Sequence, residues 1–172
     1  MRSVVFLVAV LFSSLSMANT SVFEMTLQQT TEAEFKERFD NAELKGQWPY
    51  LGGQFYEIDG RGIDFDGVKL ARVVFNKEGK LVAVMTMLRG ERYDMVKRAL
   101  DDKYTLINQR PESSVLKSAT YVAADKAVVD IAFHPSKTEM AMNYTTGAFY
   151  HGMKLMMQQR MRNKERKDAG QL

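Results

Sequence analysis

The feature that most restricts the fold of this chain is a series of short segments in which apolar and polar residues alternate, separated by tight turns. Residues 70–76 and 80–88 are two such segments, and Asn76-Lys77-Glu78-Gly79 has the composition of a turn between them. A period of two places the apolar side chains of a strand on one face of a sheet. Because parallel strands need a long crossover, connections this short predict antiparallel pairing.

Helical periodicity precedes each group of strands. The first helix is predicted to begin at Thr31, whose hydroxyl can cap it while Glu34 completes a capping box. The second is predicted over residues 91–104, where apolar residues recur at helical spacing. The predicted strands are 54–58, 70–76 and 80–88 after the first helix, and 117–123, 128–134 and 138–145 after the second.

The two groups align with an offset of about 60 residues, which indicates a duplicated unit. The predicted fold class is therefore α+β, with antiparallel sheet or sheets, helices on one face, and a tandem α-β-β-β repeat at residues 31–88 and 91–145. A C-terminal amphipathic basic helix and tail, residues 147–172, completes the chain. Its methionines recur every four residues, a spacing that predicts a buried face.

This order of elements resembles that of small exported proteins built from tandem helix-and-strand units, such as the β-lactamase inhibitor proteins and the outer-membrane assembly lipoproteins related to them in fold. The resemblance rests on the order of the elements, and no motif residue can be carried over. The chain also has no cysteine, so it lacks the lipidated cysteine of those lipoproteins. The resemblance implies a fold and leaves the function open.

Residues 1–18 have the three parts of a cleavable signal peptide. Arg2 precedes an apolar run from Val4 to Phe12, and Ser16-Met17-Ala18 places small side chains at a cleavage site. The run is shorter than the roughly 20 residues that span a bilayer. We therefore expect a soluble periplasmic or secreted protein that begins at Asn19, with an N-terminal segment at 19–30 and a single α+β domain at 31–146.

Side chains suited to catalysis are few. The chain has no cysteine and two histidines, His134 and His151, neither of which lies in a motif for nucleophilic catalysis. No glycine-rich phosphate loop occurs, and we expect no cofactor and no metal. The alternative of a hydrolase would depend on Asp59, Asp64 and Asp66, although aspartate and glycine at this spacing are also typical of tight turns.

Methionine is unusually frequent, with 12 residues in 172. Met85 with Met87, and Met140 with Met142, place pairs of thioethers on one face of a strand. Soft sulfur ligands favour Cu(I), so an exported copper carrier or a carrier of another small ligand is one alternative. Packing in an irregular core is the other explanation for the same residues.

The remaining candidates suit recognition of another protein. Trp48 and Tyr50 lie in a loop flanked by glycines, and such aromatics are frequent anchors at interfaces. Arg72, Asp130 and His134 are predicted on an outer, polar face of the sheet. We therefore expect a non-enzymatic module that binds a protein partner, of an inhibitor, immunity or assembly-factor type.

Positive charge is concentrated near the C-terminus, where residues 154–167 contain six basic residues and one acidic residue. A solvated helix end explains this distribution, because cations stabilise the negative end of the helix dipole. Contact with an anionic membrane surface is an alternative. Nucleic acid is not expected as a partner.

Overall fold

A computed structural model describes residues 19–49, 53–111 and 114–170. It contains ten strands and three α-helices, and the predicted α+β class is confirmed. The elements are β1 (Ser21–Val22), β2 (Met25–Thr26), α1 (Glu32–Arg38), β3 (Glu43–Gln47), β4 (Gln54–Asp59), β5 (Val68–Phe75), β6 (Leu81–Arg89), α2 (Tyr93–Lys103), β7 (Thr105–Gln109), β8 (Lys117–Val122), β9 (Val128–Phe133), β10 (Glu139–Thr145) and α3 (Gly147–Ala169).

Eight strands form one antiparallel sheet in the order β3-β4-β5-β6-β10-β9-β8-β7. Each half follows the order α-β-β-β-β, and the halves meet where β6 pairs with β10, for example Val84 with Tyr144. The repeat therefore contains four strands and not the three predicted. The additional strands, β3 and β7, lie at the two edges of the sheet, where most of their residues are exposed and give no apolar alternation.

One face of the sheet, here called face 1, carries both repeat helices. Thr31 caps α1 as predicted, and Glu34 completes the capping box. The cap directs Phe35 into the core, where its ring lies 5.2 Å from that of Tyr56. Tyr93, Val96 and Leu100 of α2 are buried in the same cluster. The predicted placement of the repeat helices on one face is confirmed.

Residues 19–30 are part of the folded body. Met25 and Leu27 are buried in the core of face 1. The Asp125 carboxylate accepts hydrogen bonds from the Thr20 backbone N–H at 2.6 Å and from the Thr20 hydroxyl at 2.9 Å. The Gln28 N–H donates to the Leu81 carbonyl. The segment thereby closes the core between the two repeats.

The C-terminal helix α3 packs on the other side of the sheet, here called face 2. Its Thr146 cap accepts a hydrogen bond from the Phe149 N–H, and the Thr146 N–H donates to the Val82 carbonyl of β6. Phe149 is 1% exposed and lies in a small second core with Val74 and Ala83. This contact fixes the first two turns of α3 to the sheet. Within the described residues, no helix is long and apolar enough to cross a membrane.

Candidate binding groove

A row of mostly polar side chains crosses face 2 through all eight strands. Antiparallel registry pairs each member with the next, so the row is continuous. Two predicted site residues belong to it, although they come from different repeats. From β7 to β3, this polar row consists of Asn108, Thr120, Asp130, Asn143, Met85, Arg72, Glu57 and Glu43.

The part of the polar row in the first repeat is neutralised by ion pairs. The Arg72 Nε donates to the Glu57 carboxylate at 2.6 Å, and the Lys45 ammonium lies 3.4 Å from its other oxygen. The hydrogen bond from Arg72 is the main cause that lowers the pKa of Glu57. Arg72, a predicted partner-binding residue, is thus already paired within the sheet, although its side chain remains 47% exposed.

The part in the second repeat contains a carboxylate without a cation. The Asn143 Nδ2 donates to Asp130 Oδ2 at 2.8 Å. Burial raises the pKa of the Asp130 carboxyl, and this hydrogen bond offsets part of the effect. Within the part of the chain that the structure describes, no ammonium or guanidinium lies within 4 Å of Asp130.

Between α3 and this part of face 2 lies a groove of about 610 Å³, here called the α3 groove. Its floor is formed by small and polar side chains of β8, β9 and β10, including Ser118, Asp130 and Ala132. Its wall is apolar and rich in methionine. The methionines that line the groove are Met85 from β6 and Met153, Met157 and Met161 from α3.

The predicted buried methionine face of α3 is correct for only the first turns. Met153 still packs against the second core, but Leu155, Met157 and Met161 are 56%, 57% and 64% exposed. The four-residue spacing itself is present, but the sheet does not fill the space beneath the distal turns. The expectation that Met157 and Met161 pack in a core is therefore wrong.

Trp48 packs against the second core, beside the groove-lining residue Phe149. Its indole ring is 5.8 Å from that of Phe149 and 5.4 Å from that of Phe55, and its buried Nε1 has no hydrogen-bond partner among the described residues. These contacts place Trp48 in the second core rather than on a projecting loop. Tyr50, its predicted companion, lies outside the described residues.

His134 does not line the groove. It follows β9, and its Nδ1 lies 2.7 Å from the Ser136 hydroxyl in the turn before β10. Of the predicted binding residues, the structure thus places Asp130 in the groove, Trp48 against the second core and Arg72 further along the polar row. Sequence reasoning missed Asn143 and considered Met85 only beside Met87, as a thioether ligand or a packing residue. Strand registry is what places these two residues beside Asp130 and Arg72.

Two of the three aspartates considered for hydrolysis, Asp59 and Asp66, have structural partners. Asp59 accepts hydrogen bonds from the Arg61 backbone N–H and side chain, which lower its pKa. Asp66 pairs with Arg89 at 2.9 Å and with Arg92. Across residues 19–49, 53–111 and 114–170, no three His, Cys, Asp or Glu side chains are grouped as a metal site would require.

Comparison of the chain with models of known protein families, with curated proteins and with solved structures finds no match. The geometry of the α3 groove is therefore the basis for the functional argument.

Proposed function

We propose that the protein is an exported, non-enzymatic binding module and that the α3 groove holds an apolar segment of a partner protein. The observation that carries the proposal is the exposed apolar wall of α3 over an unfilled part of face 2. We expect side chains such as Met157 to pack against the surface of a bound partner, because exposed contiguous apolar surface commonly marks an interaction site.

The form of the groove favours an elongated occupant. The 23 residues of α3 span about 34 Å, and only the first turns contact the sheet. Methionine suits such a wall because its unbranched, polarisable side chain adapts to different partner shapes. Helical peptides also commonly bind hydrophobic grooves through apolar side chains spaced at i and i+4.

Site-specific photo-crosslinking tests this proposal in cells that produce the full chain. Benzoylphenylalanine replaces Met157 in the groove or Gln159, which is exposed but does not line it. We expect a discrete crosslinked protein from position 157 and none from position 159. We further expect A132F, which fills the groove from its floor, to suppress that product. Equal products from both positions, or no product from position 157, would contradict the proposal.

A second candidate, a carrier of Cu(I), is favoured by one observation. Met85, Met153, Met157 and Met161 line the same groove although they come from two elements. Thioethers bind Cu(I) in preference to harder cations. Native mass spectrometry after addition of Cu(I) under reducing conditions would show one bound ion, and the double variant M153L/M157L would lose it. A bare polypeptide mass in both proteins would remove this candidate.

Export is proposed from the sequence, because residues 1–18 lie outside the described part of the chain. We expect Edman sequencing of the purified native protein to begin at Asn19. Recovery from the cytosol of a chain that begins at Met1 would contradict export without affecting the groove.

A further inference from the structure

The position of Asp130 in the α3 groove bears on which partner segment could bind there. Asp130 lies near the middle of the groove floor, on β9 between its registry partners Thr120 and Asn143. Both partners are neutral. The opposite wall, α3, contributes one charged side chain to the groove, Lys154, and it is not within ion-pair distance of Asp130.

Glu57 provides an internal comparison. It lies on the same polar row in the first repeat, is also largely covered, and has two cations beside its carboxylate, Arg72 and Lys45. Asp130 has one amide donor and no cation among the described residues. Removing a carboxylate partly from water costs free energy unless cations or hydrogen-bond donors compensate its charge. The first repeat supplies that compensation to Glu57 with two cations, whereas the second repeat supplies Asp130 with one amide.

We propose that Asp130 is the specificity-determining contact of the α3 groove, and that it pairs with a lysine or arginine side chain carried within an apolar segment of the partner protein. This inference rests on the proposed function of the groove. The methionine wall would hold the aliphatic stem of such a side chain while its charged end reaches Asp130. Asn143 is a positioning residue, because it fixes the carboxylate through the 2.8 Å hydrogen bond.

A cationic side chain fits this site better than the other ions available to a partner. An acidic segment would place its carboxylate against Asp130 in a partly desolvated groove, where like charges repel strongly. A hydrated metal ion would find one carboxylate beside neutral amide and hydroxyl groups, and no second acidic side chain lies in the groove among the described residues. The basic residues of α3 beyond Met161 are exposed and lie toward the free end of the helix, where solvent and salt screen them.

Calorimetric titration of the mature protein with matched peptides tests the inference. The probe is a capped seven-residue peptide of leucine and alanine with a central lysine, compared with the same peptide carrying norleucine or glutamate at that position. We expect the lysine peptide to bind at least about tenfold more tightly than the norleucine peptide, because truncating one member of a hydrogen-bonded charge pair typically weakens binding by this much or more. The glutamate peptide should bind more weakly still.

Two variants identify the source of the preference. D130N should abolish the preference for lysine while leaving the affinity of the norleucine peptide unchanged. E57Q is the matched control, because it removes a carboxylate of the same polar row that is already paired, and it should keep the preference. Circular dichroism and urea unfolding confirm that both variants fold.

Each remaining outcome contradicts the inference in an identifiable way. Binding of all three peptides with equal affinity, lost in A132F, would leave the groove as a binding site but remove the role of Asp130. Absence of peptide binding together with absence of the Met157 crosslink would overturn the proposed function as well. Binding to phosphatidylglycerol vesicles that D130N leaves unchanged, without peptide binding, would instead assign recognition to the basic end of α3.

Discussion

Phe149 is the residue on which the attachment of α3 depends, so its truncation gives the sharpest test of the groove. It is 1% exposed, caps the second core over Val74 and Ala83, and its ring lies 5.8 Å from that of Trp48. Replacing a buried phenylalanine by alanine costs about 3 to 5 kcal/mol. Because the groove opens beside this site and Met153 can shift toward the vacated space, we expect F149A to lower the free energy of unfolding by about 3 kcal/mol.

The chain contains one tryptophan, so its fluorescence during urea unfolding reports on the environment of the second core. The Trp48 emission of folded F149A should shift to longer wavelength, because the indole loses its cover and meets water. With a slope of about 2 kcal/mol per molar urea, the midpoint should fall by about 1.5 M. L155A is the control: Leu155 lies on the same helix but is 56% exposed, so its change should stay within about 0.5 kcal/mol. A loss below 1 kcal/mol with unchanged Trp48 emission would refute the claim that Phe149 fastens α3 to face 2.

Three further predictions concern single residues. D130N should be more stable than the parent at pH 7. Burial raises the pKa of Asp130 in the folded state, so the ionised carboxylate opposes folding. Urea titrations should show the advantage of D130N shrinking as the pH falls through that raised pKa, because the carboxyl of the parent then becomes neutral. D125A should lower the unfolding free energy by about 3 kcal/mol, since it leaves the buried N–H and hydroxyl of Thr20 without their acceptor. G60A should lower the thermal midpoint sharply or prevent folding, because its Cβ would lie 2.0 Å from the Val68 carbonyl oxygen, and retention of the parent midpoint would contradict this geometry.

The central strands could be predicted because their sequences are rich in apolar, β-branched residues that are buried in the sheet. Strand β6 was expected over 80–88 and runs from Leu81 to Arg89, and β9 was expected over 128–134 and runs from Val128 to Phe133. The edge strands could not. Every residue of Thr105–Gln109 is exposed, so that segment has no buried side chain to impose a period of two, and only pairing with β8 makes it a strand.

The candidate site was accessible to sequence reasoning only in part. Alternation in the central strands correctly placed Arg72 and Asp130 on a polar outer face. That both residues lie in the same polar row depends on the order and register of strands from two repeats. The alternation within a single strand does not contain this information. The spacing of Met157 and Met161 predicted an apolar helix face, but the same spacing arises whether that face meets a core or an unfilled groove.

The α3 groove follows from the repeated order of elements. Two copies of an α-β-β-β-β unit supply two helices to face 1, whereas within the described part of the chain face 2 receives the single helix that follows the second copy. Eight strands spaced by about 4.8 Å make a sheet some 34 Å wide, and a helix about 10 Å across cannot cover it. The uncovered area of face 2 must then either carry polar side chains that water solvates or be covered by another molecule. The first repeat does the former with Glu57 and its two cations. The second repeat places a methionine wall opposite Asp130, which has no cation beside it among the described residues, and this combination suits a partner segment that carries both apolar side chains and a cation.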